Sequence, residues 1–220
     1  MEFTYHSDVD IPLSGVTLKG ELIIPSTCHA IVLFSHGSGS SRFSARNKMV
    51  AEYLQKNNFA TLLFDLLTEH EDRFFDNRFN IELLAERLME VTEWLRNFEP
   101  ADGLGIGYFG ASTGAASALK AAAFLQNVQA IVSRGGRPDL AMDSLSKVKA
   151  PTLLIVGSRD VHVAELNKMA YAELECEKKF EVIAGASHLF EESGMMDIVC
   201  EKANEWFKKY LRAVKNSFHY

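Results

Sequence analysis

Cysteine is scarce in this chain: Cys28, Cys176 and Cys200 are the only three in 220 residues. Their odd number, without a C-x-x-C pair or zinc-ligand spacing, argues against a disulfide framework and predicts reduced thiols. Long apolar runs are missing as well. None approaches the roughly 18 to 20 residues that cross a bilayer, and the opening MEFTYHSDVD has neither the basic nor the apolar segment of a secretory signal. A soluble, cytoplasmic chain with no membrane span is therefore expected. Basic charge is in deficit, with 23 Lys and Arg against 29 Asp and Glu for a net charge of −6. That balance provides no cationic stripe to displace counterions from phosphates, so nucleic acid is not an expected partner. With no repeat, low-complexity tract or Pro/Gly/Ser-rich linker, residues 1–220 are expected to form a single domain.

What is present is an ordinary globular composition, 47% hydrophobic and 24% charged, organised by alternation. The stretch 16–25 has period-two patterning and suits an edge strand. Continuous apolar runs at 30–37, 60–66, 104–110, 130–136, 151–160 and 179–185 read as strands buried on both faces. Between them lie helical patterns at 45–58, 80–98, 113–126, 163–175 and 197–214. This order predicts an α/β fold: a mostly parallel central sheet with helices on both faces. Ligands of such sheets bind beyond the carboxyl ends of the strands. The residues that close the apolar runs should therefore share one rim: His36 to Gly39, Asp65, Ser112, Arg134 to Arg137 and Asp160.

Gly110-Ala111-Ser112-Thr113-Gly114 lies between an apolar strand pattern and a helix of small residues. It fits the G-x-S-x-G elbow, in which flanking glycines clear space around a serine on a tight strand-to-helix turn. Asp160 in VGSRD and His188 in GASHLF follow in the order serine, acid, histidine. Asp139 is the competing acid, and a turn or helix-cap role competes for Asp160. A serine hydroxyl must lose its proton during attack, and a histidine oriented by a carboxylate can take it. Ser112, Asp160 and His188 are thus the candidate triad. Thr113 N–H is the first candidate oxyanion donor; Ser38, then Gly39, are candidates for the second. His36 precedes the serine in the chain and reads as support for the oxyanion loop, as Gly110 and Gly114 do for the elbow.

Three further signals have competing readings. Gly105, Gly107 and Gly110 match G-x-G-x-x-G, but they fall inside a strand run and the next strand ends without an acidic residue, which argues against dinucleotide binding. Arg134 and Arg137 bracket Gly135-Gly136; they either meet an anionic substrate group or pair with loop carboxylates. The stretch 69–78 is either a flap carrying Phe74 and Phe75 over the rim or a solvated connection with two buried rings. No two histidines are spaced i, i+4 with a third ligand nearby, so no metal is expected.

With these motifs in this order, the chain resembles the α/β-hydrolase superfamily over nearly its whole length, and among its branches the dienelactone hydrolase-like group, since the chain is small and has no inserted cap. The resemblance implies cleavage of an ester, thioester, lactone or amide without a cofactor, acting on a small-molecule acyl substrate. The namesake enzymes carry cysteine at the elbow; Ser112 stands there in this chain and points to a general serine esterase. A non-catalytic binding protein on the same scaffold, or an acyltransferase or peptidase using the same residues, are the competing functions. Both a monomer and a homo-oligomer stay open.

Overall fold

The computed structural model describes residues 2–214. Eight strands form one sheet: β1 (Phe3–Pro12), β2 (Thr17–Pro25), β3 (Ala30–Ser35), β4 (Ala60–Phe64), β5 (Gly105–Ala111), β6 (Val128–Arg134), β7 (Thr152–Gly157) and β8 (Lys178–Ile183), in the order β1-β2-β4-β3-β5-β6-β7-β8. β2 pairs antiparallel with both β1 and β4, and every pairing from β4 to β8 is parallel. This is the α/β-hydrolase fold with a mostly parallel sheet.

The apolar strand runs are continuous because alternate residues feed two cores. Ile31 and Leu33 of β3 face a cluster with α2 (Ile81–Arg96), α3 (Thr113–Phe124) and the end of α4 (Val161–Glu173). Ala30, Val32 and Phe34 face the other side, against α1 (Ala45–Lys56) and α5 (Met195–Tyr210). Burying a strand on both faces disfavours polar residues before the strand ends, so most polar side chains collect at the sheet's carboxyl rim; Thr61 within β4 is tolerated because Gln55 bonds its hydroxyl. Ser35 closes β3, and its hydroxyl meets Ser117 Oγ of α3 at 2.8 Å.

Three elements depart from the sequence reading. β1 carries no long apolar signal; most of its residues are exposed, and only Val9 and Ile11 are buried. It is held by its ladder to β2 rather than by its side chains, which hydrophobic periodicity does not register. The stretch Pro138–Lys147 forms short 3-10 turns kinked at Ala141, and α5 stops at Tyr210 rather than at 214, where Leu211 turns extended. Among the described residues no helix is long and apolar enough to cross a membrane.

Candidate active site

Ser112 joins β5 to α3 with φ 53° and ψ −124°, a left-handed conformation that costs a non-glycine residue on the order of 1–3 kcal/mol. Backbone bonds hold it there. Ser112 N–H donates to the Arg134 carbonyl (3.3 Å), and the Ser112 carbonyl accepts from Arg137 N–H (3.0 Å) and Ala115 N–H (3.0 Å). The flanking glycines are required by close approach: a Cβ at Gly110 would lie 2.5 Å from Ala115 Cα, and one at Gly114 would lie 2.1 Å from the Ser35 carbonyl oxygen. α3 thus starts hard against the ends of β3 and β5, and only glycine allows the turn to close.

Asp160 follows β7 and stands at the start of α4 without capping it; its carboxylate receives no hydrogen bond from that helix's backbone. Instead its Oδ2 lies 2.6 Å from His188 Nδ1. The competing acid, Asp139, is taken by Arg137, which forms a two-bonded fork to it at 2.9 and 2.8 Å. His188 sits on the loop after β8 with its ring over Gly135: a Cβ there would lie 3.6 Å from both Cε1 and Nδ1 of the imidazole. Gly135 directly follows Arg134, whose carbonyl holds the Ser112 backbone, so the β6 end brings serine and histidine to one place. Glu192, which the sequence reading missed, fixes the histidine loop: both carboxylate oxygens accept Ser187 N–H at 3.1 Å, and Arg159 Nη1 reaches one of them at 3.2 Å. The Ser187 N–H bond holds the Glu192 carboxyl below the usual carboxylate range.

On the other side, Gly37 lies against the serine; a Cβ there would meet Ser112 Cβ at 3.0 Å and Oγ at 3.7 Å. His36 is buried, and its Nε2 accepts Leu66 N–H (3.1 Å), which leaves Nδ1–H to donate to the Gly37 carbonyl (3.0 Å). Burial pushes its pKa down, so the ring is neutral and braces the loop from both nitrogens. The donor order read from sequence needs one revision. Ser38 N–H donates to Thr113 Oγ1 at 2.8 Å, whereas Thr113 N–H and Gly39 N–H have no partner among the described residues.

The family model for the alpha/beta hydrolase domain matches residues 28–213. The chain belongs to that family. A crystal structure described as dienelactone hydrolase from Anabaena variabilis superposes on this α/β-hydrolase with a TM-score of 0.92 at 51% identity, covering 94% of this chain and 99% of that one. An esterase from Pyrococcus furiosus shares the fold at 20% identity and TM-score 0.76, covering 94% of this chain and 93% of that one. A curated relative from Mycobacterium tuberculosis is 53% identical over 205 residues, 93% of this chain, and is named "Putative phosphoribosyl transferase". The chain spans only 46% of that relative's length, and the name describes the longer protein. Together these matches make the chain a dienelactone hydrolase-like α/β-hydrolase.

The remaining rim residues of the hydrolase divide cleanly. Arg137 is engaged by Asp139, while Arg134 is 7% exposed as a residue and its guanidinium makes no hydrogen bond or ion pair among the described residues. Burial, with Arg46 nearby, pushes Arg134 down to about 10. Asp65 accepts Arg42 N–H at 2.8 Å and pairs with the Arg42 guanidinium, tying down the loop after β3. A cavity of about 640 Å³ opens toward β1 and β2; His36, Arg42, Phe43 and Asp65 line it, but Ser112 and His188 do not. The stretch 69–78 touches the rim, since Asp72 and Arg78 share a small recess with residues 36–39. Its rings are not buried, as a solvated connection with two buried rings would require: Phe74 is 56% and Phe75 67% exposed. The glycines of the G-x-G-x-x-G match lie within β5, and two of them admit the chain around the end of α5: a Cβ at Gly105 would lie 2.0 Å from the Arg212 carbonyl oxygen, and one at Gly107 3.0 Å from Phe207.

Proposed function

We propose that this α/β-hydrolase is a serine hydrolase that cleaves a small or exposed carboxylic ester, thioester or lactone through an acyl-enzyme on Ser112. The observation that carries the reading is the 2.6 Å contact between His188 Nδ1 and an Asp160 carboxylate that caps nothing. A carboxylate on Nδ1 holds that proton in place and leaves Nε2 as the base. In the first half-reaction Nε2 takes the Ser112 hydroxyl proton as Oγ bonds to the substrate carbonyl carbon. The carbonyl electron pair moves onto oxygen, where Thr113 N–H and Gly39 N–H receive it. The oxyanion then collapses, the bond to the leaving group breaks, and the imidazolium donates its proton to that group. Water repeats the sequence on the acyl-enzyme, releasing the acid and restoring Ser112. The strained Ser112 backbone supports this reading, because a residue that merely caps a helix has no need of φ 53°.

Treatment of the purified protein with a fluorophosphonate probe, with the adduct located by mass spectrometry, tests the reading. Labelling at Ser112 that is lost in Ser112→Ala and His188→Ala is expected, with turnover of simple acyl esters falling at least about 1000-fold in both variants. Well-folded protein that takes no label and turns over no ester would overturn it in favour of a binding role.

A further inference from the structure

Asparagine suits neither a helix interior, where its amide competes with the backbone, nor a core, where every polar atom left without a partner is costly. Asn167 stands in both. It lies in the middle of α4, fully buried on the same face as Val163, Ala164 and Ala170, and its Oδ1 is enclosed with no partner. Its donor is what the fold uses. Nδ2 bonds the Val163 carbonyl of its own helix at 2.8 Å and, leaving the helix, the Gly136 carbonyl at 2.9 Å. Among the described residues no other side chain bonds the main chain of 134–137.

That turn, which follows β6, is where the three triad candidates meet. The Arg134 carbonyl accepts Ser112 N–H and Arg137 N–H donates to the Ser112 carbonyl, so the peptide groups on both sides of the serine hang on it. Gly135 lies against the His188 ring, and Gly136 is pressed against the start of α3: a Cβ there would lie 2.0 Å from Ser133 Oγ and 2.6 Å from Ala115 Cβ. Asp160 heads the helix that carries Asn167 about two turns further on. A single buried amide thus joins the acid's helix to the turn that holds the serine and meets the histidine.

We propose that Asn167 is a positioning residue: through the Gly136 carbonyl it locks the 134–137 turn, and with it Ser112 and His188, to the helix that Asp160 begins. The proposal rests on the hydrolase reading above and adds to it a residue that touches neither substrate nor triad. A small shift of the turn passes to Ser112 Oγ and Thr113 N–H, which act in the transition state, and not to ground-state binding. The effect therefore falls on kcat rather than on KM.

Asn167→Leu keeps the volume and the burial but cannot donate. With p-nitrophenyl acetate its kcat is expected to fall by about 10- to 100-fold while KM stays within about twofold of wild type, and fluorophosphonate labelling of Ser112 should slow in step. Asn167→Asp separates positioning from packing by pH. A carboxyl buried there titrates above its ordinary range; protonated, its hydroxyl can donate to the Gly136 carbonyl, and ionised it cannot. Its kcat relative to wild type at the same pH should therefore fall as pH rises, and this ratio decides alone if Asn167→Leu does not fold. Gln55→Leu, which breaks a buried bond to Thr61 between α1 and β4, is the control: it should lower stability and keep kcat. Independently of turnover, hydrogen exchange at the Ser112 and Arg137 amides should quicken in Asn167→Leu and not in Gln55→Leu. A well-folded Asn167→Leu with wild-type kcat and unchanged exchange, or a pH-independent ratio in Asn167→Asp, would overturn the assignment and leave the hydrolase standing. A wild-type protein that takes no label would remove the hydrolase reading instead, and the exchange rates would still show whether Asn167 holds the turn.

Discussion

Two segments flank the oxyanion loop and are held by opposite means. On one side, Ser112 and its neighbours are fixed by backbone: the start of α3 lies so close to Gly110, and the Ser35 and His36 carbonyls so close to Gly114, that neither glycine has room for a Cβ. On the other, residues 69–79 form two short 3-10 turns with exposed phenylalanines and are held by side chains. Arg78 makes four bonds to Asp72, and Glu71 accepts from Thr68 and from Arg87 at 2.8 Å. Backbone fixation is insensitive to salt and pH and intolerant of substitution; ion-pair fixation is the reverse. The difference teaches that Ser112 is placed by main-chain packing that substitution disrupts, whereas the neighbouring segment is placed by side-chain pairs that salt and substitution can loosen.

The largest effect that would sharpen this contrast is expected at Gly114. In Gly114→Ala the new methyl group meets the Ser35 carbonyl, so α3 must move; a loss above about 3 kcal/mol in denaturant unfolding is expected, together with loss of fluorophosphonate labelling. Near-native stability and labelling would mean that the elbow yields, and the contrast would fail. A smaller effect is expected at Glu71, which is partly buried and whose carboxyl is held below its ordinary value by Thr68 and Arg87 against the cost of burial. Glu71→Gln should cost roughly 1 kcal/mol and speed amide hydrogen exchange across 69–79, with exchange in β5 and α3 unchanged. Spread of the change into α3 would show that the two segments are one unit.

Solvent acidity provides the mildest probe. His36 touches both sides, through Leu66 N–H and the Gly37 carbonyl, and burial lowers its pKa beneath the ordinary imidazole value of about 6.5. The unfolded chain therefore binds a proton more readily than the folded one, so this contribution is fully present above about 6.5 and declines as pH falls below it. The His36→Gln variant should show a shallower loss of stability over that acid range in pH-dependent thermal melts. An unchanged slope would assign the acid sensitivity to other groups.

Much of this was legible beforehand, for a physical reason. Strands buried on both faces are largely apolar and release most of their polar residues at the ends, so Ser112 and Asp160 stood out as rim residues, with His188 following them in chain order. β1 was not legible, because its ladder to β2 is made by backbone atoms that every sequence supplies. Nor were the fates of Arg134 and Arg137, three positions apart: one is paired with Asp139, two residues on, and the other points into a region that no carboxylate reaches. The role of Glu192 was hidden similarly, since its partner is a main-chain N–H rather than a recognisable side chain.

The Thr113 hydroxyl, which accepts Ser38 N–H at 2.8 Å, has a consequence for redesign. In the proposed mechanism Thr113 works like a two-ended gauge: its amide is the oxyanion donor, while its side chain sets how far the neighbouring loop stands from Ser112. Valine has almost the same outline but cannot accept a hydrogen bond, so it would keep the spacing and release the clasp. Catalytic rate and loop position, which most active-site substitutions change together, become separable at this one residue.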